Sequence, residues 1–161
     1  MKNIRITFMG ILFMILITLG CFYTNSNKGK DNSDYVEAKI NDSLDVKIFF
    51  NTTNNTFSTL IIKNNQNGTH NIYGFHNDGI TLSRIGSEKD GFRTGPYYTY
   101  YSNGKLNCKV NYIQGEFEGD YTCYSEDGNI IYKANYENGI EKNVEINKKD
   151  VIPEFKIEEE K

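Results

Sequence analysis

A glycine beat constrains this chain more than any other feature. Glycine follows Asn or Asp at Asn67-Gly68, Asp78-Gly79, Asp90-Gly91, Asn103-Gly104, Asp127-Gly128 and Asn138-Gly139, and Gln114-Gly115 fills the remaining beat. The spacings run 11, 12, 13, 11, 13 and 11 residues. Such pairs between strand-like runs are the strongest short-range hairpin signal, because both central residues of a type I′ turn need positive φ. The beat sits on a longer repeat, since Gly95 to Ile140 splits into two ungapped copies 24 residues apart. Gly95 matches Gly119, Tyr97 matches Tyr121, Tyr100 matches Tyr124, Tyr112 matches Tyr136 and Gly115 matches Gly139. Nine of the 12 tyrosines lie inside these copies, so the aromatic enrichment belongs to the repeat. A worn copy precedes them, with Tyr73, Leu82 and Gly91 each 24 before its counterpart, Gly79 one residue out of place, and His76 where Tyr100 and Tyr124 stand later.

These periods predict an all-β antiparallel meander of repeated hairpins over 35–140, clearest over 95–139 and marked by turns at Gly79, Gly91, Gly104, Gly115, Gly128 and Gly139. A lone hairpin is marginal in water, and stacked hairpins gain from cross-strand pairs. The segment 141–161 reads as a charged end, with Val144 and Ile146 in a final strand, Pro153 as a stop and an EEEK tail.

The first 20 residues are of another kind. Lys2 and Arg5 precede an apolar run from Ile6 to Leu19 that is short for a spanning helix and fits the core of a secretory signal. Thr18-Leu19-Gly20-Cys21 resembles a bacterial lipobox, with Thr18 in place of the usual leucine. That resemblance implies 1–20 as a lipoprotein signal peptide, Cys21 as the acylated N-terminus, and a place on the exported side of the cell membrane or outer membrane. Residues 21–34 are polar and read as a flexible tether. Cys108 and Cys123, 15 apart on strands read as neighbours, are open to a disulfide or to packing as small buried groups.

Residues 95–139 resemble the MORN-repeat variant of bacterial proteins. Gly95, Tyr97, Tyr100, Tyr101, Asn103, Gly104, Lys105, Leu106, Tyr112 and Gly115 fit its pattern, and Gly119, Tyr121, Tyr124, Gly128, Tyr136, Asn138 and Gly139 repeat it, with departures at Ser125 and Asp127. The resemblance implies hairpin repeats. Many such bacterial proteins carry an antitoxin label, and eukaryotic MORN proteins are linked to lipid binding and scaffolding.

Reaction chemistry is thin. The 18 basic and 21 acidic residues give a net charge of −3, which disfavours nucleic acid. His70 and His76 have no nucleophile motif beside them, and their spacing matches no zinc ligand set. Glu116, Glu118 and Asp120 lack an ordered calcium loop. The expectation is no enzyme, no cofactor and no metal. Alternation puts Tyr97 and Tyr101 on one face and Tyr98 and Tyr100 on the other. With Tyr112, Tyr121, Tyr124 and Tyr136 they read either as a structural ladder or as an aromatic platform for a partner. The leading expectation is a lipid-anchored, non-enzymatic protein-interaction scaffold. The alternatives are an antitoxin or immunity-type inhibitor and an envelope glycan- or lipid-binding module.

Overall fold

The computed structural model describes residues 22–28, 34–51, 53–54 and 56–147, with side chains from 35 to 146. Residues 1–21, which include Cys21 and the expected signal segment, and residues 148–161 lie outside the described residues. The described chain is all β. Its strands are β1 (Phe22–Lys28), β2 (Asp34–Asn41), β3 (Leu44–Asn51), β4 (Thr56–Asn64), β5 (Thr69–Phe75), β6 (Leu82–Lys89), β7 (Phe92–Arg93), β8 (Gly95–Tyr100), β9 (Leu106–Ile113), β10 (Glu116–Phe117), β11 (Gly119–Tyr124), β12 (Ile130–Glu137) and β13 (Ile140–Asn147). All belong to one antiparallel sheet in chain order, with β7 pairing back on β6 and β10 on β9. The expected tether is therefore partly strand, since Phe22–Lys28 pairs with Asp34–Lys39. The backbone N–H and C=O groups of β2 draw this segment into the ladder despite its polar composition.

The turns follow the predicted beat but are of two kinds. At Asp90-Gly91, Gln114-Gly115 and Asn138-Gly139 both residues have positive φ, as type I′ requires. Asn103 and Asp127 are not left-handed, whereas Gly104 and Gly128 are. There Gly104 N–H donates to the Tyr101 carbonyl and Tyr101 N–H to the Lys105 carbonyl, and Gly128 and Ser125 repeat the pattern. These are longer loops that end on a left-handed glycine. From Gly79 to Gly139 the two kinds alternate, so over this stretch the I′ turns lie at one end of the strands and the longer loops at the other; Asn67-Gly68, where only the glycine is left-handed, is a longer loop at the I′ end.

The displaced glycine of the worn copy has a local cause. Gly79 lies against Thr56, where a Cβ would come 2.6 Å from the Thr56 Cβ. Asn54 Nδ2 and Thr56 Oγ1 both donate to the Asn77 carbonyl, at 2.9 and 3.2 Å. This loop rests on the preceding hairpin and does not extend freely.

Asparagine serves the turns. In all four Asn-X-Ser/Thr sequences, the Asn Oδ1 accepts the N–H two residues on: Asn41 from Ser43, Asn51 from Thr53, Asn54 from Thr56 and Asn67 from Thr69. These are local Asx turns, which substitute for a backbone turn bond. Asp78 does the same more strongly, taking the Thr81 hydroxyl and the N–H groups of Ile80 and Thr81. The Thr81 hydroxyl first, then the two amides, hold its carboxyl down to about 2. Because the folded value lies below the unfolded one, this stabilisation is present above the ordinary carboxylate range and is lost as pH falls through about 2. Following the Asp78 carboxyl by NMR should give a midpoint near 2 in the native chain. In Thr81→Val it should move toward 3.8; an unmoved midpoint would show that the hydroxyl does not hold it.

The main core cluster sits in the clear repeats and contains Tyr97, Cys108, Val110, Tyr112, Phe117, Tyr121, Cys123, Tyr132, Ala134 and Tyr136; Ala38 and Ile48, outside it, are also buried. Directly opposed residues share a face. One row runs from Tyr97 through Val110, then Tyr121 and Ala134, to Val144. Large and small alternate along it, so each ring lies over a small neighbour. The same logic fixes Gly86, where a Cβ would overlap the Tyr97 ring. Cys108 and Cys123 stand directly opposite each other and form a disulfide, with Cα atoms 4.1 Å apart. Of the two readings left open by the sequence, the structure gives the bridge.

Candidate functional site

The eight tyrosines divide by face. Tyr97, Tyr112, Tyr121 and Tyr136 are 5%, 1%, 0% and 2% exposed. They are core, and a partner does not reach them in the folded chain; for these four the platform expectation is corrected to the structural ladder. The cause is their alternation with the small residues named above. Every ring in the row finds a pocket between its neighbours, as the edge-on contact of Tyr97 with Tyr112 at 5.6 Å illustrates.

Tyr98, Tyr100, Tyr101 and Tyr124 remain half-buried. Tyr98 stands on the face opposite Tyr97, opposed by Ile85 on one side and Lys109 on the other. Lys109 Nζ lies 6.0 Å from the centre of the Tyr124 ring. Burial raises the Tyr100 hydroxyl above its ordinary value, with Tyr98 adding to the effect. This strip presents ring area with polar tips and one cation, a composition suited to protein recognition.

The strip is held by bonds between successive repeats. His76 Nε2–H donates to the Tyr100 carbonyl at 2.9 Å, and the Tyr101 hydroxyl donates to the Tyr124 carbonyl at 2.7 Å. The two acceptors are equivalent positions 24 residues apart, so His76 is a clasp between hairpins. Lys105 Nζ reaches the Glu126 carbonyl at 2.7 Å and Asn103 Nδ2 reaches Glu126 Oε2 at 2.9 Å. These bonds join the loop edges of the two clear repeats.

The acidic trio does not converge. Glu118 Oε2 accepts the Asn138 N–H and Asp120 Oδ1 accepts from Asn135 Nδ2. Glu116 lies over Gly139. His70 stands between Lys63 and Glu88 on the other half of the sheet. Among the described residues no group of three or more His, Cys, Asp and Glu is placed to hold a metal ion.

The sequence did not single out Arg93 and Glu141. Arg93 stacks over Tyr97 and Tyr112, 5.1 and 5.4 Å from the ring centres, and its Nη1 donates to the Tyr112 hydroxyl. Glu141 accepts the Tyr132 and Tyr136 hydroxyls at 2.7 and 2.8 Å. Arg93, Phe117 and Glu141 are 24 apart. The signal was present in the period: the middle copy is apolar and the two outer copies are polar.

Residues 93–114 and 117–138 match the family described as MORN repeat variant. Each stretch contains one hairpin, β8–β9 and β11–β12, and together they cover well under half of the chain. No curated protein matches the chain. A solved structure of a mutant S. aureus TarM in complex with fondaparinux, alpha-GlcNAc-glycerol and UDP resembles it with a TM-score of 0.42 and 14% identity. That likeness covers 84% of this chain and 24% of the other, so the chain spans about a quarter of that structure's length, and the score is too low to bear on fold or function.

Proposed function

We propose that this chain is a lipid-anchored bacterial envelope protein. An acylated Cys21 holds it to the cell membrane or outer membrane on the exported side, and its MORN-like hairpins form a non-enzymatic scaffold for a protein partner. The observation that carries this reading is the Cys108–Cys123 bond. Disulfides form and persist in oxidising compartments and are rare in the bacterial cytosol. The bond thus supports the exported reading over a cytoplasmic antitoxin, which would keep both thiols reduced. It agrees with a lipobox-like Gly20-Cys21 after an apolar run.

Two acyl chains would anchor the chain firmly, each buried methylene contributing about 0.8 kcal/mol. Because β1 begins at Phe22, the anchor would join the edge strand of the sheet directly. The half-buried strip of Tyr98, Tyr100 and Tyr124 with Lys109 is the partner surface in this reading.

Labelled fatty acid should enter the wild-type chain and not Cys21→Ser. Equal labelling would remove the anchor from the proposal. Capture of an envelope protein by the full chain should fall at least tenfold in Tyr98→Ala and Tyr100→Ala with folding unchanged. Undiminished capture by both variants would mean that the strip is not the partner surface.

A further inference from the structure

The sheet changes its apolar side between its two halves. In the clear repeats the apolar side is the core face of Tyr97, Val110 and Tyr121. Pairing traces the other side from Val36 to Ile48, Leu60, Tyr73, Ile85 and Tyr98, across β2, β3, β4, β5, β6 and β8. The neighbouring row runs through Ala38, Val46, Ile62, Asn71 and Ser87. Neither row contains a charged residue. The reverse face of the same strands mixes Tyr35, Phe49, Ile61 and Ile72 with Glu37, Lys39, Asp45, Lys47, Lys63, His70, Arg84 and Glu88 in its paired positions.

An apolar sheet face needs a second layer. In the clear repeats tall tyrosine and phenylalanine rings close over one another. Val36, Leu60, Ile62 and Ile85 are too short to do so and stay half-buried, although Ala38 and Ile48 in the same rows are buried within the single chain. Every described strand lies in one sheet, so no second described layer crosses these rows.

We infer that a second copy of this chain packs on this face, so that two sheets meet as a sandwich related by a two-fold axis. The area suits a weak, reversible pair. Two rows on six strands about 4.8 Å apart, each strand contributing roughly 14 Å of length, present roughly 400 Å². Two copies then bury roughly 800 Å², in the range of weak, transient contacts. The chemistry suits a like partner. A two-fold contact opposes the same patch on both copies, and a patch without charges brings no like charges together. Aliphatic rows on a twisted sheet interdigitate with a second such sheet about 10 Å away.

Sedimentation equilibrium of the full solubilised chain at about 100 μM tests the inference. The expected mass is that of two chains. Leu60→Lys, at the centre of the face, should return it to one chain, whereas Ile61→Lys, one residue on and pointing to the charged face, should leave two. Circular dichroism reports whether each variant is folded. Leu60→Cys should form an intermolecular disulfide under mild oxidation in more than half of the chains, a readout that does not depend on Leu60→Lys folding. A wild-type mass of one chain overturns the inference, as does a folded Leu60→Lys that stays double or the absence of cross-linked Leu60→Cys. A single-chain wild type that holds a different protein on this face, released by Leu60→Lys and not by Ile61→Lys, would assign the face to that other occupant.

Discussion

Phe117→Ala should lower the folding stability by about 3–5 kcal/mol, the range for a large buried aromatic truncated in a well-packed core. Phe117 is 3% exposed. Its ring lies 5.0 Å from Tyr112, 5.5 Å from Tyr121 and 5.2 Å from Tyr136. It touches rings of both clear repeats from between them. Those neighbours are fixed by hydroxyl bonds, Tyr112 to Arg93 and Tyr136 to Glu141, so they are poorly placed to collapse into the space left. Phe117→Leu should cost less, because it keeps most of the apolar volume. Urea unfolding followed by tyrosine fluorescence measures the difference; the chain has no tryptophan to obscure it. A loss below about 1 kcal/mol for the alanine variant would mean that Phe117 is not the keystone between the hairpins.

Removing the disulfide should have the second-largest effect. The bond closes a loop of 15 residues, for which the chain-entropy estimate is about 3 kcal/mol. Its position raises its importance. Within a hairpin, β11 and β12 share six paired positions, whereas β9 and β11 share two, and one of those two is Cys108 with Cys123. The bridge therefore closes the seam between repeats. The seam one repeat earlier, between β6 and β8, pairs Arg84 with Thr99 and Ile85 with Tyr98 and has no such bond. The double variant Cys108→Ala/Cys123→Ala should shift the denaturation midpoint down by the equivalent of about 3 kcal/mol. Reductant should act on the wild type only as it opens, since the two cysteines are 2% and 1% exposed. Equal midpoints for variant and wild type would show the seam to be held by packing alone. Free thiols on Cys108 and Cys123 in chains taken directly from cells would remove the main support for the proposed export.

Individual residues show how far the sequence could be read. Gly104 and Gly128 announced their turns because a left-handed backbone suits few residues besides glycine. Gln114 was legible only through the rhythm, as its own type carries no such preference. The distinction between I′ turns and longer loops was not legible, because Asn103 and Asn138 both precede glycine while only Asn138 has a positive φ. That choice depends on how many residues each pair of strands leaves unpaired. Strand β1 was missed because its residues are polar and its pairing is supplied by the backbone of β2. Arg93 and Glu141 were missed because a polar residue becomes part of a core only when a hydroxyl is there to meet it.

The sequence by itself determined the order of the hairpins from Tyr35 onward and the shared plan of the repeats, since these follow from a 24-residue period and from local backbone preference. Only the tertiary structure decided which tyrosines are buried, which cysteines meet and which side of each half of the sheet is apolar. Those outcomes depend on register between strands far apart in the chain. A shift of one residue in that register would turn every side chain to the opposite face.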